Sequence, residues 1–217
     1  MKRLSSVIAA LFLFASMSFA QNANYVSKME STINSFESAR TLDAVKVSAA
    51  DFERISLAEP KAWLPAYWTW LVNMALSFSE KEPAKKDVLL DKAEKFCQYA
   101  SKLQPNNDEL AILTANIANA RITVEPATRW EKYGEIVKTS VKEAKSINPE
   151  NPRLKLLEAQ TIFYTPTEYG GGKKKAIPAV KESLVKFEKF KPESNIHPNW
   201  GADRAKLMLA ECEKDGK

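Results

Sequence analysis

A chain of 217 residues with a formal net charge of +5 is long enough to bury a real core and is only mildly basic. No basic block exceeds Lys173-Lys174-Lys175, so the face-long cluster of cations that a nucleic-acid partner needs is not expected. One histidine and two distant cysteines, Cys97 and Cys212, leave no zinc-ligand spacing, and neither a metal nor a cofactor is predicted.

Met1, Lys2 and Arg3 open the chain. An apolar run follows from Val7 to Phe14, and small residues stand at Ser18 and Ala20. That order reads as a secretory leader over residues 1–20, cut after Ala20. The apolar run is shorter than the roughly 20 residues a membrane span needs, and no second long one follows. Residues 21–217 are then expected to form one exported domain, periplasmic or secreted, without a membrane span. Both cysteines sit at apolar positions of well-separated helices, so two buried thiols are expected rather than a disulfide.

Amphipathic stretches then succeed one another near 24–40, 43–58, 62–79, 86–104, 107–123, 128–147, 152–164, 174–190 and 200–214. Pro60, Pro105, Pro149 and Pro192 close the second, fourth, sixth and eighth, at separations of 45, 44 and 43 residues. Proline cannot continue a helix, and it pushes the residue before it out of the helical region. Eight positions before the prolines stand Phe52, Cys97, Val141 and Leu184; five before stand Ile55, Ala100, Ala144 and Phe187. This is one apolar helix face, repeated. Ten positions after them stand Trp70, Ala115, Ala159 and Ala202, where the recurrent alanine marks a close approach of two helices. Each unit is a pair of helices that cannot bury its face alone, so the units must stack.

The pattern resembles the tetratricopeptide repeat. Ala115 and Ala159 match the small residue midway along that family's first helix; Ala93, Ala100 and Pro105, then Ala144 and Pro149, match its second helix and closing proline. The resemblance spans nearly all of residues 24–213. The period is about ten residues longer than the usual one of roughly 34, and most of the Trp and Tyr signature is missing. The surplus is expected in loops at 80–87, 124–128 and 165–173.

The resemblance implies an all-α, right-handed superhelical stack of antiparallel helix pairs, about nine helices in all, with the ninth as a cap. It implies a concave groove lined by the first helix of each unit. Carried over by offset from each proline, the groove positions are Leu64, Tyr67, Leu71 and Met74; Glu109, Ile112, Asn116 and Asn119; and Arg153, Leu156, Gln160 and Phe163, with Tyr164 adjacent. Of these, the amides Asn116, Asn119 and Gln160 are expected to be exposed, since a buried amide must find partners. The function implied is recognition of a protein or peptide partner in the cell envelope, with amides holding an extended segment and aromatics anchoring it. The alternative is a small molecule or glycan bound on the aromatics.

Other features read as structural. His197 lies between Ile196 and Pro198 in an expected solvent-exposed turn, and no nucleophile or base is arranged around it, so no catalysis is predicted. Gly170-Gly171-Gly172-Lys173 lacks the phosphate-loop spacing and no strand precedes it; it reads as a flexible turn feeding the next helix. Of the five tryptophans, Trp63, Trp68 and Trp70 are too close together on a helix to share one face, so most are expected in the core.

Overall fold

The computed structural model describes residues 23–214; the expected leader and its cut after Ala20 lie outside them. Among the described residues there are nine α-helices and no strand. They are α1 (residues 23–38), α2 (Leu42–Ala58), α3 (Leu64–Ser79), α4 (Pro83–Leu103), α5 (Asp108–Val124), α6 (Pro126–Ile147), α7 (Pro152–Tyr164), α8 (Lys173–Lys189) and α9 (Ala202–Lys214). A single 3-10 turn, Thr167–Tyr169, interrupts the link between α7 and α8. No helix among the described residues is long and apolar enough to cross a membrane.

The repeated prolines mark equivalent corners. Pro60, Pro105 and Pro149 each directly follow the last capping residue of a helix, namely Glu59, Gln104 and Asn148. Each of those residues has left the helical region, with ψ of 66°, 76° and 90°, and its N–H donates to the carbonyl four positions back, on Ile55, Ala100 and Ala144. Pro192 sits one residue later than the pattern, two beyond Phe190. Helix starts are capped by side chains that accept backbone N–H groups: Thr41 from Ala44, Asn107 from Leu110 and Asn151 from Arg153.

One expectation is corrected. The surplus residues of the long repeat do not form loops at 80–87 and 124–128. Pro83 and Pro126 occupy first helical positions, where a missing N–H costs nothing. The surplus therefore lengthens α4 to 21 residues and α6 to 22. Only the third expected insertion is a loop. It is fixed by glycine: Gly170 and Gly172 have φ of 83° and 104°, and a Cβ on Gly171 would lie 2.3 Å from the Thr165 carbonyl oxygen.

The helices stack pairwise, α3 on α4, α5 on α6 and α7 on α8. In addition α5 touches both α3 and α7, and α9 closes the far end against α8. The largest apolar cluster joins α1, α2 and α3 through Met29, Ile33, Phe52 and Trp68, with the Phe52 and Trp68 rings stacked 5.8 Å apart. Trp68 and Trp70 are core residues, while Trp130 is exposed. The repeated alanines, Ala93, Ala100, Ala115, Ala144 and Ala159, are all fully buried, which lets neighbouring helices approach closely. Cys97 and Cys212 are buried and not in a disulfide.

Candidate binding site

The helices α3, α5 and α7 share one face of the stack, and the groove positions form four rows across it. Burial divides the rows into two halves. The first row, Leu64, Glu109 and Arg153, and the second, Tyr67, Ile112 and Leu156, are buried. In the third, Leu71 is buried but Asn116 and Gln160 are only half-buried. In the fourth, Met74 and Asn119 are half-buried, Phe163 is buried, and neighbouring Tyr164 is 65% exposed.

The first two rows are covered by the link between α8 and α9, residues 190–201, which lies as a strap across them. Proline at 192 and 198 keeps it from becoming helix. Ile196 is buried in the α1–α3 core, and its carbonyl accepts the Trp68 indole N–H at 2.8 Å. Asn195 reaches α1, donating to Glu30 at 3.1 Å. At the other end the Trp200 indole N–H donates to the Tyr67 hydroxyl at 2.8 Å, and that hydroxyl donates to Glu109 Oε2 at 2.9 Å. Arg153 Nε donates to both Glu109 oxygens at 2.8 and 2.9 Å, and Asn151 Nδ2 donates to Oε1 at 2.6 Å. Arg153 Nη1 bonds the Trp200 carbonyl at 3.3 Å, while the guanidinium lies 4.4 Å from the Phe190 ring centroid. Gly201 is needed where the strap turns into α9: its φ is +115°, and a Cβ there would meet Phe187 at 2.5 Å.

Burial, and then the Glu109 charge, push the Tyr67 hydroxyl well above the usual tyrosine value. Burial alone would lower the Arg153 pKa, but Glu109 more than offsets it and holds the guanidinium above its ordinary value. Eight of the groove positions, Leu64, Tyr67, Leu71, Glu109, Ile112, Arg153, Leu156 and Phe163, are buried, so they pack within the protein and do not line an open surface. Tyr67, Glu109 and Arg153 form a satisfied polar core beneath the strap. His197 is also corrected. It is half-buried and held, with Nδ1 2.7 Å from Ser194 Oγ, Nε2 3.1 Å from Glu193 and its ring 5.9 Å from Trp63.

What remains open is the far half of the face: Met74, Asn116, Asn119, Gln160 and Tyr164, with Phe78 another turn along α3 and 57% exposed. Asn116 donates its amide N–H to the Ile112 carbonyl at 3.0 Å, within its own helix. Phe163 and Tyr164 pack edge to face, 4.9 Å between centroids. Two cations flank them. Lys173, the first residue of α8, holds its ammonium 5.7 Å from the Phe163 ring centroid, and Arg204 of α9 donates to the Tyr164 hydroxyl at 2.5 Å. Sequence reasoning missed the strap residues Phe190, Ile196 and Trp200, and both cations. The signal was a long link between two helices that carries large apolar residues at intervals.

Two cavities lie elsewhere. A cleft of about 430 Å³ opens between α1 and α2, lined by Tyr25, Lys28, Thr32, Asp51, Arg54 and Glu59 among others. Its charges balance, and Arg54 is ion-paired to Asp51. Burial, then Glu59, push the Tyr25 phenol up to about 12, so it stays neutral. A space of about 80 Å³ lies among α4, α5 and α6 beside Cys97 and Tyr133. Among the described residues no group of three or more His, Cys, Asp or Glu could hold a metal ion.

Fold and face together define the class, an all-α stack of helix pairs whose shared face is half covered by a strap and half open. The chain is similar to the HusA haemophore from Porphyromonas gingivalis, with a TM-score of 0.77 and 31% identity over 89% of this chain and 94% of that one. No protein-family model and no curated protein matches the chain, so no family match stands behind the tetratricopeptide resemblance. At that identity over nearly the whole of both chains, the protein belongs to the family of the HusA haemophore.

Proposed function

We propose that this protein is an exported, non-catalytic carrier of haem or a closely related tetrapyrrole, bound on the open half of the face shared by α3, α5 and α7. The observation that carries it is the 31% identity to a haemophore over 89% of the chain. Of the two readings taken from the sequence, a peptide partner and a small molecule on an aromatic-lined groove, this favours the second. The open half supports it independently. A flat, apolar ligand gains about 2.5 kcal/mol per 100 Å² buried, and Phe78 and Tyr164, with half-buried Met74, offer such surface beside half-buried amides. Tyr164 and Met74 are also side chains of the types that ligate haem iron. The leader read at 1–20 agrees with a carrier that works outside the cytoplasm.

The test is titration of the mature chain, residues 21–217, with ferric haem, following the Soret band and tryptophan fluorescence. Saturable changes are expected in both. No change in either up to about 100 μM haem, where even weak sites begin to fill, sinks the proposal.

A further inference from the structure

We infer that the corner where α7, α8 and α9 meet is the carboxylate-reading end of the site, with Lys173 and Arg204 taking the two acidic arms of the ligand. This rests on the haem reading, since a haem is a flat apolar plate with two carboxylates on one edge. The corner presents the complement of that edge. Phe163 and Tyr164 form an edge-to-face aromatic wall, and a cation stands against each ring: the Lys173 ammonium 5.7 Å from the Phe163 centroid, the Arg204 guanidinium bonded to the Tyr164 hydroxyl.

The placement is built in by the chain. The N–H of Gly172 donates to the Ile162 carbonyl at 2.8 Å, which ties the start of α8 to the end of α7 and sets Lys173 over Phe163. Arg204 is held by Tyr164 on one arm and by Glu211 at 3.2 Å on the other. Glu211 is itself 43% exposed, so a ligand carboxylate can replace it on a guanidinium that offers paired donors. Lys174 and Lys175, both exposed, add to the positive charge of this end. The α1–α2 cleft lacks this character, because Asp51 and Glu59 balance Lys28 and Arg54 there.

The experiment compares ferric haem with its dimethyl ester, in which both carboxylates are capped, on the mature chain, the Lys173→Gln/Arg204→Gln variant and a Lys28→Gln/Arg54→Gln control. The wild type is expected to prefer free haem. The corner variant is expected to bind free haem about tenfold to a hundredfold more weakly while its affinity for the ester stays unchanged, so the preference collapses. Lys173→Arg/Arg204→Lys, which keeps both charges, is expected to restore most of it, and circular dichroism checks that each variant is folded. The inference is overturned if the corner variant keeps the wild-type preference, or if the cleft control loses it instead. If the wild type binds free haem and ester equally, the corner reads no carboxylate and the inference falls while the carrier reading stands. If it binds neither, both fall.

Discussion

Replacing Arg153 by Met tests the polar core beneath the strap. Arg153 is 1% exposed and Glu109 10%, and the guanidinium provides donors to both Glu109 oxygens and to the Trp200 carbonyl. Methionine fills much of the volume but carries no charge. Glu109 is then left buried with only Tyr67 and Asn151 as partners. Stranding one member of a buried ion pair costs about 3–5 kcal/mol. That is a large share of the roughly 5–15 kcal/mol that holds a typical domain together. For a chain of this size it lowers Tm by roughly 6–20 °C. The assay is urea unfolding followed by circular dichroism at 222 nm, run also on Glu109→Gln/Arg153→Met. The double variant removes both charges and is expected to be more stable than Arg153→Met alone. A loss below about 1 kcal/mol in the single variant, or a double variant less stable than the single, would refute the idea that these two charges depend on one another.

Asp87 sits in a second ion network, accepting from Arg129 at 2.7 and 2.8 Å and from Arg121 at 2.8 Å. The Arg129 hydrogen bonds, opposed by partial burial and aided by Arg121, lower its pKa to about 2. Its folded value lies below its unfolded value of roughly 3.9, so its stabilisation is complete above that value and is lost as pH falls toward 2. Asp87→Asn should therefore flatten the acid limb of the stability profile; an unchanged limb contradicts the assignment. Gly171→Ala places a Cβ against the Thr165 and Ile162 carbonyl oxygens. It is expected to cost about 1–3 kcal/mol, with faster hydrogen exchange at Gly172 as the local readout. Burial pushes the Cys97 thiol up to about 11; at pH 8 a thiol-reactive probe should leave it unlabelled until urea unfolds the chain, and rapid native labelling rules that environment out.

The repeat was legible because its signals are local. Pro60, Pro105 and Pro149 act on the residue before them, and that residue leaves the helical region with similar backbone angles at all three corners. Alanine at 93, 100, 115, 144 and 159 is a statement about helix distance that holds in any stack. The error over residues 80–87 and 124–128 came from reading proline only as a stop. At Pro83 and Pro126 it is a start, and single-sequence reading separates the two roles only by what lies on either side. The strap was illegible for a different reason. Nothing within residues 190–201 says that Ile196 will meet Trp68, 128 positions earlier, or that Trp200 will find Tyr67, 133 positions earlier.

That non-local contact decides how the face divides. Tyr67, Glu109 and Arg153 have the groove register, yet each has its polar groups satisfied within the protein, so a guest must displace Trp200 to reach them. Tyr164 has nearly the same register and no such cover. Register therefore fixes which residues share the face, and the strap fixes which of those a ligand can touch. A relative that lengthened or shortened the α8–α9 link would change the size of its site without altering any groove residue. Deleting the link's apolar anchors by Ile196→Ser/Trp200→Ser should likewise enlarge the ligand range of this protein, at the expense of the α1–α3 core into which Ile196 is packed.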